Sequence, residues 1–226
     1  MRDKKTGKKG AFSRSRKPPT AQSDKIERLP KAHKRRSRRP ESTSIEDSMY
    51  LENDEIRALF RVISSKRDRA ALMIALKRGL RAHEVGLLTL ADFQRDRLFV
   101  RRGKGSISQE YSLTAEELHA LRMWLKIRGQ APGPLFPSRN HRPISRRRLD
   151  ELMKRYCEAA GIRREKAHMH ALKHSCAVAL AESGESAEAI KEWCGHRRIT
   201  STQRYLHFSK KRREEMAERQ KYWRVT

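Results

Sequence analysis

The sequence predicts a mainly α-helical chain carrying one small β element, an α+β class, and three observations lead there. From residue 50 onward, apolar residues recur at helical spacing in segments that open on capping residues and mostly close on glycine. A single pair of alternating segments flanks Gly103-Lys104-Gly105-Ser106, the pattern of a β-hairpin. Ahead of these, residues 1–48 hold Ile26, Leu29 and Ile45 as almost their only large aliphatics.

That leading segment is rich in Lys, Arg, Ser and Pro and buries too little apolar area to offset its ordering entropy. It is expected to be a disordered basic tail. Its run from Lys31 to Pro40 suits phosphate contacts, solubility or a nuclear address, and the pattern selects none of them.

Asn53 is the expected cap of a first helix carrying Ile56, Leu59, Phe60 and Ile63, closed by Ser64-Ser65. A second helix, from about Lys66 to Gly79, has apolar coverage wide enough to be largely buried. A short third runs from about Ala82 to Leu88, with Arg81 at the junction. Arg97 to Arg101 and Ser108 to Leu113 alternate as strands, which puts Lys104 at a hairpin tip.

Thr114 and Glu117 form a capping-box pattern that opens a helix ending at Gly129. Leu135 and Phe136 in the following Pro/Gly-rich loop are expected to pack on the core. Ser145 caps a helix with Leu149, Leu152, Met153, Tyr156 and Ala160 on one face and Arg146, Arg147, Arg148 and Lys154 on the other. The next helix, His170 to Ala181, breaks at Gly184. Another, capped by Ser186 with Ile190 and Trp193 inward, stops at Gly195; His196 follows, Tyr205 sits on a short further helix, and a charged helix runs from Ser209 to about Lys221.

The 226 residues carry 54 Lys plus Arg against 27 Asp plus Glu, a formal charge of +27. Such an excess points to a polyanionic partner, DNA or RNA, because neutralised phosphates release condensed counterions. No apolar run of bilayer length and no secretory signal occurs, so no membrane partner and a cytoplasmic, nucleoid-associated location are expected. Cys157, Cys176 and Cys194 are separated and odd in number, which reads as reduced, buried thiols.

Arg81, Lys104, His170, Lys173, His196 and Tyr205 bear chemistry suited to one phosphodiester: cations for the nonbridging oxygens, proton carriers, and a phenol as nucleophile. A phenol has a pKa of about 10, so its attack needs a neighbouring base or a dense positive field, which His170 or His196 beside Arg81 would provide. No carboxylate cluster suits a two-metal nuclease. The bland alternatives are a zinc site on His168, His170 and His174, a core hydrogen bond for His174, and ordinary packing for Tyr205. Arg146, Arg147, Arg148, Lys154, Arg197 and Arg198 are candidates for DNA-backbone contacts.

In order and spacing, Gly79-Leu80-Arg81 with Glu84, Gly103-Lys104-Gly105, His170-Ala171-Leu172-Lys173-His174, Gly195-His196 and Thr202-Gln203-Arg204-Tyr205 resemble the catalytic domain of the tyrosine recombinases, the phage-integrase family. In length and in the wording around WLKIR and HSC, the chain looks most like the small recombinases of fimbrial phase variation, which lack a separate N-terminal DNA-clamping domain. The resemblance implies the recombinase catalytic fold over residues 49–210 and a C-terminal helix or tail, 211–226, that packs in trans within a homotetramer on DNA.

It also implies site-specific cutting and rejoining of DNA through a 3′-phosphotyrosyl link, with no cofactor and no metal. Arg81 would bind the scissile phosphate, Lys104 would protonate the 5′ oxygen, His170 would orient or deprotonate the nucleophile, His196 would hydrogen-bond the phosphate, and Tyr205 would attack. The family has a second arginine where this chain has Lys173, which loses the planar fork. The alternative function is therefore an impaired relative that acts as a DNA-binding accessory protein.

Overall fold

The computed structural model describes residues 50–103, 106–206 and 217–218. The expectations for residues 1–48, for Lys104 at the hairpin tip and for the helix from Ser209 to Lys221 lie outside these residues, apart from Ala217 and Glu218, which are helical.

Helix α2 (Lys66–Lys77) is the centre of the core. Its run RAALMIAL has no polar face to give to solvent, and Ala70 through Leu76 are all buried. It packs against α4 (Ala115–Arg128) on one side and α6 (Met169–Glu182) on another. Ser65 caps α2 by accepting from the Asp68 N–H at 3.3 Å, and Gly79, at φ +56°, turns the chain out of it.

Around this axis, α1 (Asn53–Val62) and α3 (Ala82–Leu87) each lie against α5 (Arg146–Ala159). The first cap falls one residue earlier than expected: Glu52 takes it, its N–H bonded by Glu55 Oε2 at 2.9 Å, because a carboxylate three residues on reaches back where the Asn53 amide is not needed. Thr114, Ser145 and Ser186 cap α4, α5 and α7 (Ala187–Cys194) as their spacing predicts. Leu135 and Phe136 are buried, so the intervening loop is pinned to the core. α8 (Thr200–Leu206) packs on α6 and α7, which brings Tyr205 back onto α6.

The β element is a three-stranded antiparallel sheet in the order β1 (Phe93–Gln94), β2 (Arg97–Val100), β3 (Gln109–Ser112). The two-residue β1 was not legible, since two residues show no alternation. Leu98 pairs with Tyr111, and both are buried. Tyr111 meets Trp193 of α7 edge-on at 5.1 Å between ring centroids, which seats the sheet against the end of α7. Arg78 and Glu117 form a buried ion pair, with Nε to Oε1 at 2.7 Å, and Arg78 Nη2 donates to Ser112 O at 3.0 Å, so α2, α4 and β3 are joined at one point.

Candidate active site

Arg81 is set by its own turn. The Glu84 carboxylate accepts from the Arg81 backbone N–H at 2.8 Å and from its Nη1 at 3.1 Å, and Nη1 also donates to Gly195 O at 3.3 Å. The guanidinium is thereby held between the start of α3 and the end of α7. Glu84 is fully buried. Burial opposes its ionisation, but the Arg81 N–H and the charges of Arg102, Lys173 and Arg81 more than offset this and hold the carboxyl below its usual range.

Helix α6 supplies His170, Lys173 and His174 at i, i+3 and i+4, the spacing that shares one face. Gly195 ends α7 in the left-handed region at φ +60° and delivers His196. A cavity of about 310 Å³ is lined by Arg81, His170, Lys173, His174, His196, Arg197, Arg198, Ser201 and Tyr205. Five of the six residues expected to act together thus surround one space, and Lys104 lies outside the described residues.

The phenol of Tyr205 is hydrogen-bonded to Nδ1 of His174 at 2.5 Å. The sequence suggested His170 or His196 for that partner and a core role for His174. His170 lies edge-on to His174 at 4.4 Å, and His196 stacks on Tyr205 at 6.0 Å between centroids. His174 and His196 therefore flank Tyr205, with His174 in direct contact and His170 behind it. The signal that separates them is tertiary: it depends on where α8 lands on α6.

His196 Nδ1 meets the Thr202 hydroxyl at 2.8 Å. Burial, reinforced by the charges of Lys173, Arg81, His174 and His170, pushes its pKa down to about 3, so the ring is neutral near pH 7. His170, although part of its surface is exposed, is lowered in the same direction, by desolvation within the cavity and then by the charge of Lys173. Lys173 is 2% exposed, and its ammonium donates to Gly79 O at 2.7 Å and to Cys194 O. Burial lowers its pKa to about 8, with Arg102 and Arg81 pushing the same way against Cys194 and Glu84.

A second cavity, of about 430 Å³, adjoins the first at Arg81 and His170 and is lined further by His83, Arg146, Asp150, Lys154 and His168. The arginine-rich start of α5 divides. Arg146 and Lys154 face this trough, Arg148 faces another basic cavity with Arg67, Arg139 and Arg155, and Arg147, its side chain 90% exposed, lines none of the three. Arg147 and Arg148 are both tied to Glu151, at 3.0 and 3.2 Å. Arg197 and Arg198 are exposed at the rim of the first cavity.

Cys157, Cys176 and Cys194 are free and buried, as expected. His168 caps α6, its Nδ1 accepting from the Ala171 N–H at 3.2 Å. Among the described residues no group of three or more His, Cys, Asp or Glu is placed to hold a metal ion, and no helix is long and apolar enough to cross a membrane. Arg102, which the sequence did not single out, is buried beneath the site.

The model of the phage integrase family matches residues 49–212. Among curated proteins, the type 1 fimbriae regulatory protein FimB of Escherichia coli is 30% identical over 163 residues, covering 68% of this chain and 81% of FimB. The tyrosine recombinase XerC of Erythrobacter litoralis is 34% identical over 130 residues, covering 57% of this chain and 42% of XerC. The chain thus spans less than half the length of the XerC relatives it matches. Among solved structures, XerA recombinase superposes with a TM-score of 0.67 at 25% identity, covering 78% of this chain and 66% of XerA. The XerH site-specific recombinase, bound to a palindromic difH substrate in a post-cleavage complex, gives 0.63 at 27% identity, covering 74% of this chain and 52% of XerH.

Proposed function

The chain belongs to the phage integrase family, and from that premise we propose that it is a site-specific DNA recombinase that cuts and rejoins double-stranded DNA through a 3′-phosphotyrosyl intermediate. The observation that carries this reading is the Tyr205 phenol, hydrogen-bonded to His174 inside a cavity that Arg81, His170 and His196 also line.

With the scissile phosphate in that cavity, Tyr205 Oη attacks phosphorus while the bond to the 5′ oxygen breaks. The phenolic proton passes to His174 Nδ1, and the departing 5′ oxygen takes a proton from an acid, a role the family pattern gives to Lys104. Arg81 neutralises the nonbridging oxygens. Where the Thr202 hydroxyl donates to Nδ1 of neutral His196, the ring proton sits on Nε2 and serves as a further donor to phosphate. Lys173 adds positive charge from beneath. Rejoining is the same displacement in reverse: a 5′-hydroxyl attacks the phosphotyrosine and the phenol leaves, so no nucleotide cofactor is consumed.

The trough lined by Arg146 and Lys154 continues from the cavity and suits phosphates flanking the cleaved one. Exchange between two duplexes breaks four strands, and each protomer contributes one phenol. A homotetramer on DNA, with residues 211–226 packing in trans and residues 1–48 as a basic tail, completes the proposal, at a cytoplasmic, nucleoid-associated location.

The test is a nicked suicide duplex carrying a site the protein has been shown to bind. The expected result is a denaturant-resistant protein–DNA band with the wild type and none with Tyr205→Phe. A bound site that never yields the band means a DNA-binding protein without strand transfer.

A further inference from the structure

The alternation of β2 runs past its end: Leu98 and Val100 are buried, Arg101 turns outward to Asp92 at 2.5 Å, and Arg102 turns inward with its side chain 0% exposed. Its guanidinium is enclosed by carbonyls. Nη1 donates to Gly79 O at 3.3 Å, Cys194 O at 3.2 Å and Glu84 Oε2 at 3.1 Å. Nη2 donates to Arg78 O at 2.9 Å, and to Trp193 O and the Tyr111 hydroxyl at 2.7 Å each. A Cβ on Gly195 would lie 2.9 Å from Arg102 Cδ and Nε, so the arginine stem runs directly beneath the residue that precedes His196.

Lys173 reaches the same place from α6. Its ammonium donates to Gly79 O and Cys194 O, the two carbonyls that Arg102 Nη1 also uses. A carbonyl oxygen has two lone pairs, so each of these oxygens is filled by one lysine and one arginine donor. One of the carbonyls lies two residues before Arg81, the other two residues before His196.

We propose that Arg102 is a positioning residue of the strand-transfer site and that it and Lys173 are an interdependent pair, jointly clamping the Gly79–Arg81 turn to the Cys194–His196 turn so that Arg81 and His196 converge on one phosphate. The compact ammonium at 173 fits because a guanidinium already fills the space below it, and a second planar fork there would compete for the same acceptors. The site is built around lysine rather than handicapped by it. This rests on the recombinase reading above.

The test compares wild type, Lys173→Arg, Arg102→Lys and the exchange Arg102→Lys/Lys173→Arg in the full chain, all with the same net charge. Three quantities are read: unfolding in urea, affinity for the bound duplex, and the single-turnover rate of covalent adduct formation at saturating protein. Each single substitution is expected to slow cleavage by about 10²-fold, the effect of an ångström-scale misplacement, while DNA affinity changes less than about twofold. The exchange is expected to regain most of the rate, and its stability is expected to exceed the sum of the single effects.

Rates that multiply in the exchange, or a Lys173→Arg protein that cleaves as fast as wild type or faster, overturn the pairing. Should Arg102→Lys fail to fold, Lys173→Arg alone decides by the same criterion. Should the wild type form no adduct, the recombinase reading falls, and the pairing is still decided by coupling in the unfolding cycle, where additive effects reject it.

Discussion

Tyr205 Oη and His174 Nδ1 are 2.5 Å apart, and this contact joins two helices whose contact residues lie 31 positions apart in sequence. In the proposed reaction it sets a nitrogen base against the phenol whose proton leaves as the oxygen attacks phosphorus. His174→Ala is therefore expected to slow adduct formation by about 10²-fold or more, the usual worth of a general base, with little change in DNA affinity. His170→Ala, which removes a ring behind His174, should cost less. Single-turnover rates rank the two, and the reverse ranking would return the base to His170.

Acid should weaken the fold through the buried His196. His196 has a pKa of about 3 in the folded chain against 6.5 unfolded, so below pH 6.5 the unfolded state binds the extra proton and stability falls as pH drops towards 3. Half-buried His168 and His170, whose outer edge is exposed, shift in the same direction, chiefly because the surrounding protein desolvates the charged ring. Each pH unit lost from 6.5 downward costs up to about 1.4 kcal/mol through His196 alone. Urea midpoints measured between pH 7 and 5 should fall in wild type and fall less steeply in His196→Gln.

The Arg78–Glu117 pair is buried, with side chains 3% and 0% exposed. Glu117→Gln leaves the guanidinium charge without its counter-charge and is expected to cost about 3–5 kcal/mol, read by urea unfolding. A loss under about 1 kcal/mol would mean that the Ser112 carbonyl and the Tyr111 and Trp193 rings suffice to hold Arg78.

Gly195→Ala meets two obstacles, φ of +60° and a Cβ 2.9 Å from the Arg102 stem. The backbone term alone is about 1–2 kcal/mol. Melting and cleavage should both suffer, the second more, because His196 is the next residue. A protein that melts lower yet cleaves normally would detach His196 from the chemistry.

If the trough beside the cavity carries DNA phosphates, Arg146→Ala and Lys154→Ala should each reduce the salt slope of DNA binding by about 0.9. Arg147→Ala should change it far less, because that side chain lines none of these cavities and is held by Glu151 at 3.0 Å. Equal slopes for all three would move the duplex to another face.

The helices were legible because their ends are written in single residues: Thr114, Ser145 and Ser186 accept at N-termini, and Gly79 and Gly195 turn the chain at C-termini. The grouping of Arg81, His170, His196 and Tyr205 was legible only through the resemblance of their order and spacing to the tyrosine recombinase pattern. What sequence withheld depends on tertiary approach. α6 presents His170, Lys173 and His174 on one side, and only the landing of α8 selects His174. Arg102 continues the inward alternation of Leu98 and Val100, but an inward arginine is implausible until the carbonyls of Arg78, Gly79, Trp193 and Cys194 are known to surround it.

In the proposed reaction the Tyr205 phenol takes the scissile phosphate. The most direct measurement of this transfer is mass spectrometry of the proteolysed adduct trapped on a nicked duplex, together with end analysis of the released strand. The expected product is a nucleotide joined through its 3′-phosphate to the peptide containing Tyr205, with a free 5′-hydroxyl on the departing strand. A linkage on any other residue, or a 5′-phosphate at the break, would contradict it.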